Sequence, residues 1–301
     1  MPFYYRLTMP YTSENLLVRG ASNEGDVLVH VDPKLAGWRY LTFEARRLSS
    51  GASYTCHTLE QEVGVVILSG TLDVDSPAGK WDNIGGRSSV FEGLPYALYF
   101  SRHTSFSLAA KTPVEIAVAM APTDQDHATR LISPADIGIE IRGGGNATRQ
   151  INNIVPPGFD CHRLILVEVY TPGGNWSSYP PHKHDTHRLD SAGILLEAAL
   201  EETYFYKIDL PNGFAMQRIY TDQNSPVHIS NQGFDALVVP TTNDVVLVPA
   251  GYHPVSSPPG YTTYYLNALA GSAQSLANFE DPHHAWTKTT FHGKDLRVPI
   301  Y

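Results

Sequence analysis

The sequence predicts an all-β protein built as two antiparallel β-sandwich or barrel halves, and three observations carry that expectation. The 301 residues include 24 Gly, 22 Pro and 17 Tyr, a composition that favours many short strands joined by turns over a bundle of helices. Apolar and aromatic runs of strand length recur between Gly and Pro breaks. The two halves also share a weak internal repeat: a strand ending in Gly, a tight hairpin, then an apolar strand closed by a Pro turn. At 42% hydrophobic and 17% charged residues, the chain can bury one large core or two modest ones.

Taken in order, Met1 to Leu17 lacks a basic start followed by an apolar core and a small-residue cleavage site, so no secretory signal is expected. Residues 20–120 hold the strand-like runs V-G-V-V-I-L-S-G-T-L-D-V, S-S-V-F-E-G-L-P-Y-A-L-Y-F and V-E-I-A-V-A-M-A. This half carries no ligand set: Leu59 stands where His57 would want a second imidazole, and no His follows Pro95 until His103. Both histidines are read as structural and the half as retained for packing. Asp124 to Pro157, polar and Gly-rich, links the halves, with the division placed at 1–150 and 151–301. Arg142 and Arg149 lie in it. Either could bind a carboxylate, but structural salt bridges are the expected use, since nothing in the sequence places a guanidinium at a site. The second half opens with L-I-L-V-E-V-Y from Leu164, feeding a Gly173–Gly174 turn and Trp176.

The chemistry is expected from Asn175 onward, in N-W-S-S-Y-P-P-H-K-H-D. On an extended segment His182 and His184 project from one face and can reach one metal ion, while Lys183 faces away. Glu202 opens E-T-Y-F-Y-K-I, a strand by its β-branched and aromatic content, and Glu201 competes with it for the carboxylate position. His253 follows the buried strand and turn D-V-V-L-V-P-A-G-Y-H. Three neutral imidazoles and a carboxylate suit zinc, manganese, iron or nickel and suit calcium or magnesium poorly. Alternation puts Tyr204 and Tyr206 on the Glu202 face, making Tyr204 the candidate proton-handling hydroxyl. Gln217 and Arg218 face opposite ways on G-F-A-M-Q-R-I-Y. Inward, Arg218 would pair with an acid, whereas Gln217 would hydrogen-bond hydroxyls. Between the ligands, S-A-G-I-L-L-E-A-A-L suggests a short helix capped by Asp190 or Ser191, serving as a lid or rim. Asp281 and His284 are candidates for the pocket rim.

The order H-x-H, Glu, then P-x-G-(x)-H resembles the cupin metal signature. W-S-S-Y-P-P-H-K-H-D, L-E-E-T-Y-F-Y, G-F-A-M-Q-R-I-Y-T-D, P-G-Y-T-T-Y-Y-L-N-A-L-A-G and D-P-H-H-A-W together resemble the 5-deoxy-glucuronate isomerase family of myo-inositol breakdown. The similarity extends upstream through R-G-G-G-N-A-T-R-Q-I-N-N-I and so covers most of the chain. The sister isomerases of 4-deoxy-5-keto-hexuronates share the skeleton but not the word H-K-H-D. The resemblance implies a bicupin of two double-stranded β-helix (jelly-roll) halves. It implies the metal ligands His182, His184, Glu202 and His253, Glu202 being preferred because E-x-Y-x-Y in both families starts two residues before the first Tyr. It also implies one divalent ion per chain, zinc first, and an aldose–ketose isomerisation of a small acidic sugar. Two departures from the general cupin pattern stand out: the long stretch 185–201 between His184 and Glu202, and the single residue between Gly251 and His253.

Composition narrows the alternatives. A formal charge of -9 and the absence of a basic block argue against a nucleic-acid partner. No apolar run approaches the roughly 20 residues of a spanning helix, so no membrane partner is expected. Cys56 and Cys161 cannot make a disulfide framework and fit a reducing cytoplasm, where the sequons at Asn146 and Asn175 would be chance matches. Exposed strand edges are compatible with a homo-oligomer. Two other functions keep parts of this pattern. A storage or sugar-binding bicupin needs no complete ligand set, and an oxygen-using metalloenzyme consumes oxygen.

Overall fold

Two six- to seven-stranded antiparallel sheets lie back to back, and each is faced on its outer side by a four-stranded sheet. This arrangement comes from a computed structural model, which describes residues 10–21 and 26–301; most of the Met1–Leu17 leader expectation falls outside them. In the first half the large sheet runs Arg130–Ile132, Ala97–Phe100, Gln61–Ser69, Val114–Pro122, Thr42–Leu48, Val27–Val31. In the second it runs Leu17–Val18, Val245–Val248, Leu200–Ile208, Thr263–Gly271, Ile165–Thr171, Arg149–Val155, Gly138–Arg142. The smaller sheet facing the second comprises Trp176–Ser177, Val255–Ser256, Met216–Tyr220 and Asp235–Val238. Each half is therefore a β-sandwich of the cupin kind.

Stacking the large sheets explains why their strands read as unbroken apolar runs. On Gln61–Ser69, Val63, Val65 and Ile67 enter the first half's own core, while Val66 and Leu68 enter the core shared with the second half. A strand buried on both faces loses the polar alternation of a half-exposed one. Phe43 meets Phe205 across the junction, ring centroids 5.7 Å apart.

Two glutamates clasp the halves in matching ways. The Glu62 carboxylate accepts from the backbone N–H of His162, Arg163 and Leu164 at 2.8, 2.6 and 3.0 Å. That of Glu201 accepts from Arg39, Tyr40 and Leu41 at 2.6, 2.7 and 2.9 Å. Each is the second residue of its half's central strand, and each holds the turn leading into a long strand of the other half. The internal repeat is thus a pseudo-two-fold, and Val63, Val65 and Ile67 stand where the second half has Glu202, Tyr204 and Tyr206. The first interior is apolar throughout, with Phe100 stacked on Phe106 at 3.9 Å. His57 and His103 are exposed on its outside.

The helix expected in S-A-G-I-L-L-E-A-A-L is not formed. Arg188–Leu189 and Leu195–Glu197 make a two-stranded hairpin instead. Asp190 caps its turn, accepting from the N–H of Ala192 and Ile194 at 2.8 Å each, and Gly193 takes φ +82. A left-handed residue at that point reverses the chain before a helical turn can close.

Candidate metal centre

Four segments build the centre. His182–Lys183 pairs with Phe279–Glu280, and His184 follows directly. Glu202 lies on the central strand Leu200–Ile208. His253 follows Val245–Val248 through a turn at Gly251, whose φ is +93 and where a Cβ would sit 2.5 Å from the Tyr220 carbonyl oxygen. Only glycine fits that close approach. Asp185, the last letter of H-K-H-D, accepts from the Gly251 N–H at 2.6 Å and so ties the turn to the H-x-H strand. Lys183 points away from the histidines, as its place in the strand predicts, and bonds Asp222 at 2.9 and 3.0 Å. The Tyr252 hydroxyl donates to the same carboxylate at 2.9 Å.

His184, Glu202 and His253 converge, with one donor atom from each lying within 4.8 Å of the others, and all three are buried. His182 stands beside them half-buried, its ring centroid 4.8 Å from that of His253. The imidazoles are oriented from behind. His253 Nδ1 lies 2.8 Å from the Gly251 carbonyl and His184 Nδ1 lies 3.0 Å from that of Leu200, contacts that only an N–H can make. Each ring therefore turns an Nε2 lone pair toward Glu202. His184 Nε2 is 3.0 Å from Glu202 Oε2, and His253 Nε2 is 3.4 Å from it. His253 Nε2 is buried without any hydrogen bond. Lone pairs and a carboxylate facing one another in a dry pocket call for a cation, and second-shell N–H···O=C contacts of this kind are how metal-binding imidazoles are held. Burial pushes His182 and His253 down to about 3, leaving both neutral and able to ligate. Burial also opposes the charge on His184, but the Glu202 hydrogen bond and charge outweigh it and raise that pKa, so this Nε2 offers its lone pair to an ion on releasing a proton. The donor set fits a borderline divalent ion.

The structure separates the remaining candidates. Glu201 faces the other half and is occupied by its three N–H donors, so Glu202 is the carboxylate in the cluster. Tyr204 is buried, its hydroxyl 3.0 Å from Ser178 Oγ and its ring 5.9 Å from His253. Burial, then the charge of Glu202, keeps its pKa well above that of an ordinary phenol. Gln217 faces inward, accepting from the Tyr206 hydroxyl at 2.8 Å and donating to the His253 carbonyl at 3.4 Å. Arg218 is corrected to the outer face, where it forms a fork with Asp235 at 2.9 and 2.6 Å. Asp281 sits against the H-x-H strand, its N–H donating to the Pro181 carbonyl at 2.8 Å, but its carboxylate is engaged by Tyr220 at 2.6 Å. His284 is half-buried beside it. Arg142 pairs with Glu140 on the surface, as expected. Arg149 does not pair with a carboxylate, against expectation. Asp185 and Ser178 join the site only in the folded chain, through Gly251 and Tyr204. The place of Asp185 directly after His184 in H-K-H-D could have marked the first, while Ser178, at φ +50, carries no local signal.

Fold and site together define a bicupin whose second half alone, among the described residues, carries a metal-competent cluster. The chain belongs to the KduI/IolB family, whose pattern matches residues 16–287. It is 43% identical to 5-deoxy-glucuronate isomerase of Geobacillus thermodenitrificans over 88% of this chain and 92% of that protein. It is 39% identical to the protein of that name from Bacillus subtilis strain 168, over 88% and 94%. An IolB-like protein from Salmonella typhimurium LT2 superposes with a TM-score of 0.82 at 37% identity, covering 90% of this chain and 98% of that one. Oxalate decarboxylase from Bacillus subtilis, at 14% identity, TM-score 0.56 and coverage of 96% and 85%, shares the fold. Among the described residues no helix is long and apolar enough to cross a membrane, and both cysteines are free.

Proposed function

We propose that the chain isomerises 5-deoxy-D-glucuronate to 5-dehydro-2-deoxy-D-gluconate in the cytoplasm, using one divalent ion, zinc foremost, held by His182, His184, Glu202 and His253. Manganese, iron or nickel would suit the same donors. The observation that carries this reading is the convergence of two oriented Nε2 lone pairs on the buried Glu202 carboxylate. The name shared by the relatives at 38–43% identity supports this substrate over the 4-deoxy-5-keto-hexuronates. When bound, the ion would polarise the aldehyde and stabilise negative charge developing on its oxygen.

The protein's own groups supply the rest. Tyr204, held by Ser178 on the Glu202 face, is the group positioned to pass a proton between C2 and C1 of the sugar. Gln217 braces Tyr206 and the backbone of His253. Purified protein should contain one ion per chain and convert 5-deoxy-glucuronate in preference to the 4-deoxy-5-keto-hexuronate. Two tight ions per chain, or metal retained by a His182→Ala/His184→Ala double variant, would contradict the site. Oxygen uptake during turnover would point to the oxygenase alternative.

Proton passage through Tyr204 also has an isotopic signature. Turnover in deuterated water should place at least part of a deuterium at C1, and Tyr204→Phe should slow kcat by roughly 10²-fold with metal retained, the usual scale for a lost acid–base group. A deuterium-free product together with an unimpaired Tyr204→Phe variant would favour a hydride shift.

A further inference from the structure

Two arginines are buried among the described residues, Arg87 and Arg149, each 7% exposed. Arg87 is neutralised by Glu168 at 2.6 Å. Arg149 has no such partner. Its Nη1 donates to the carbonyls of Ala147 and Tyr179, both at 3.2 Å, and its Nε and Nη2 form no hydrogen bond with any described residue. An isolated guanidinium in a protein interior is costly and is kept only where an anion offsets it.

Strand register fixes where this charge points. Tyr206 is opposite Tyr265, Tyr265 opposite Val169, and Val169 opposite Ile151. Arg149 is two residues before Ile151, so it projects from the same face of the seven-stranded sheet as Glu202, Tyr204 and Tyr206. Thr171, next in the chain after Tyr170, which pairs with Gln150, has a buried hydroxyl without a partner. A cleft of about 550 Å³ abuts the site on the side of Ala147 and Tyr179, whose carbonyls hold the guanidinium; Trp176, Thr287 and Phe291 also wall it, while Arg149 itself and the metal-centre residues are not in its lining. That volume lies within the range of small-ligand sites, roughly 300–1,000 Å³.

We propose that Arg149 is the substrate-carboxylate receptor of this site, its free Nε/Nη2 edge taking both oxygens of a uronate. The paired donors match a carboxylate's geometry, and the two carbonyls on Nη1 fix the plane of the fork. The assignment rests on the isomerase reading for its substrate: an acid sugar with a carbonyl at one end and a carboxylate at the other is held at both ends, by the ligand set and by Arg149. The same arrangement selects uronates over neutral sugars.

Two measurements test it, one of them independent of turnover. By calorimetry on metal-loaded protein, D-glucuronate should bind more tightly than its methyl ester, and Arg149→Met should abolish that preference. In the isomerase assay Arg149→Met should raise KM for 5-deoxy-glucuronate by roughly 10–100-fold, the scale of lost charge-assisted bonds, with a smaller change in kcat and full metal content. Arg149→Lys keeps the charge, and with it the local packing, but loses the fork, so its KM should rise several-fold. An acid-over-ester preference that is absent from the wild type or unchanged in Arg149→Met overturns the proposal, as does a wild-type KM in Arg149→Lys. If the preference is present and Arg149-dependent but no isomerisation occurs, the carboxylate site stands and the isomerase reading falls.

Discussion

Glu202→Gln is expected to strip the ion and abolish turnover, whereas Glu201→Gln keeps both. The two side chains are adjacent in sequence but emerge on opposite faces of Leu200–Ile208. Glu202 brings its carboxylate to Nε2 of both His184 and His253, at 3.0 and 3.4 Å. An amide there halves the acceptor capacity and removes the negative charge. Loss of a direct ligand should exceed the roughly 10–100-fold affinity cost seen on losing a group that merely supports one. Glu201 does different work: a Gln at that position can accept from two of the three N–H groups but turns an NH₂ toward the third. One orphaned N–H costs about 1–3 kcal/mol, so this variant should unfold at lower temperature with its metal content and kcat intact. Metal analysis and thermal melts of the two variants decide the matter, and the reverse pattern would move the carboxylate by one residue.

Arg87→Met should be the most destabilising single change between the halves, by about 3–5 kcal/mol, the usual cost of breaking a buried ion pair from one side. Glu168, fully buried, accepts from Arg87 Nη2 at 2.6 Å, with Tyr264, Asn152 and Tyr170 contributing at 3.0, 3.2 and 3.3 Å. Without the guanidinium those neutral donors are left to stabilise a carboxylate in a dry interface, and the carbonyls of Ile67 and Gly93 lose a donor. Urea unfolding of the metal-loaded protein measures the loss. The double variant Arg87→Met/Glu168→Leu should be less destabilised than the sum of its singles, because the stranded charge is gone. A loss below about 1 kcal/mol in Arg87→Met would mean that the pair is not what holds the sheets together.

Much of the site was legible because its signals are local. His182 and His184 share a face by the two-residue period of a strand, the glycine at 251 announces a turn that a Cβ would block, and the missing imidazole after His57 already marks the first half as inert. Alternation also predicts that only one of Gln217 and Arg218 points inward. After His187 the apolar content mimics helical periodicity: Asp190 caps as a helix start would, but Gly193 turns the segment into a hairpin.

The sequence by itself determined the all-β class, the pseudo-repeat, the family and the candidate residues His182, His184, Glu202 and His253, since these depend on residue type and short spacing along a strand. Tertiary structure decided what depends on pairing across the chain. It turned Gln217 in and Arg218 out through the register of Met216–Tyr220 against Asp235–Val238. It assigned Glu201 to a clasp on Arg39, Tyr40 and Leu41, residues some 160 positions away. It left Arg149 without the carboxylate that composition led one to expect. The physical reason is the same each time: a side chain's chemistry is written in its own residue, but its charge balance is set by groups that only the folded chain brings near.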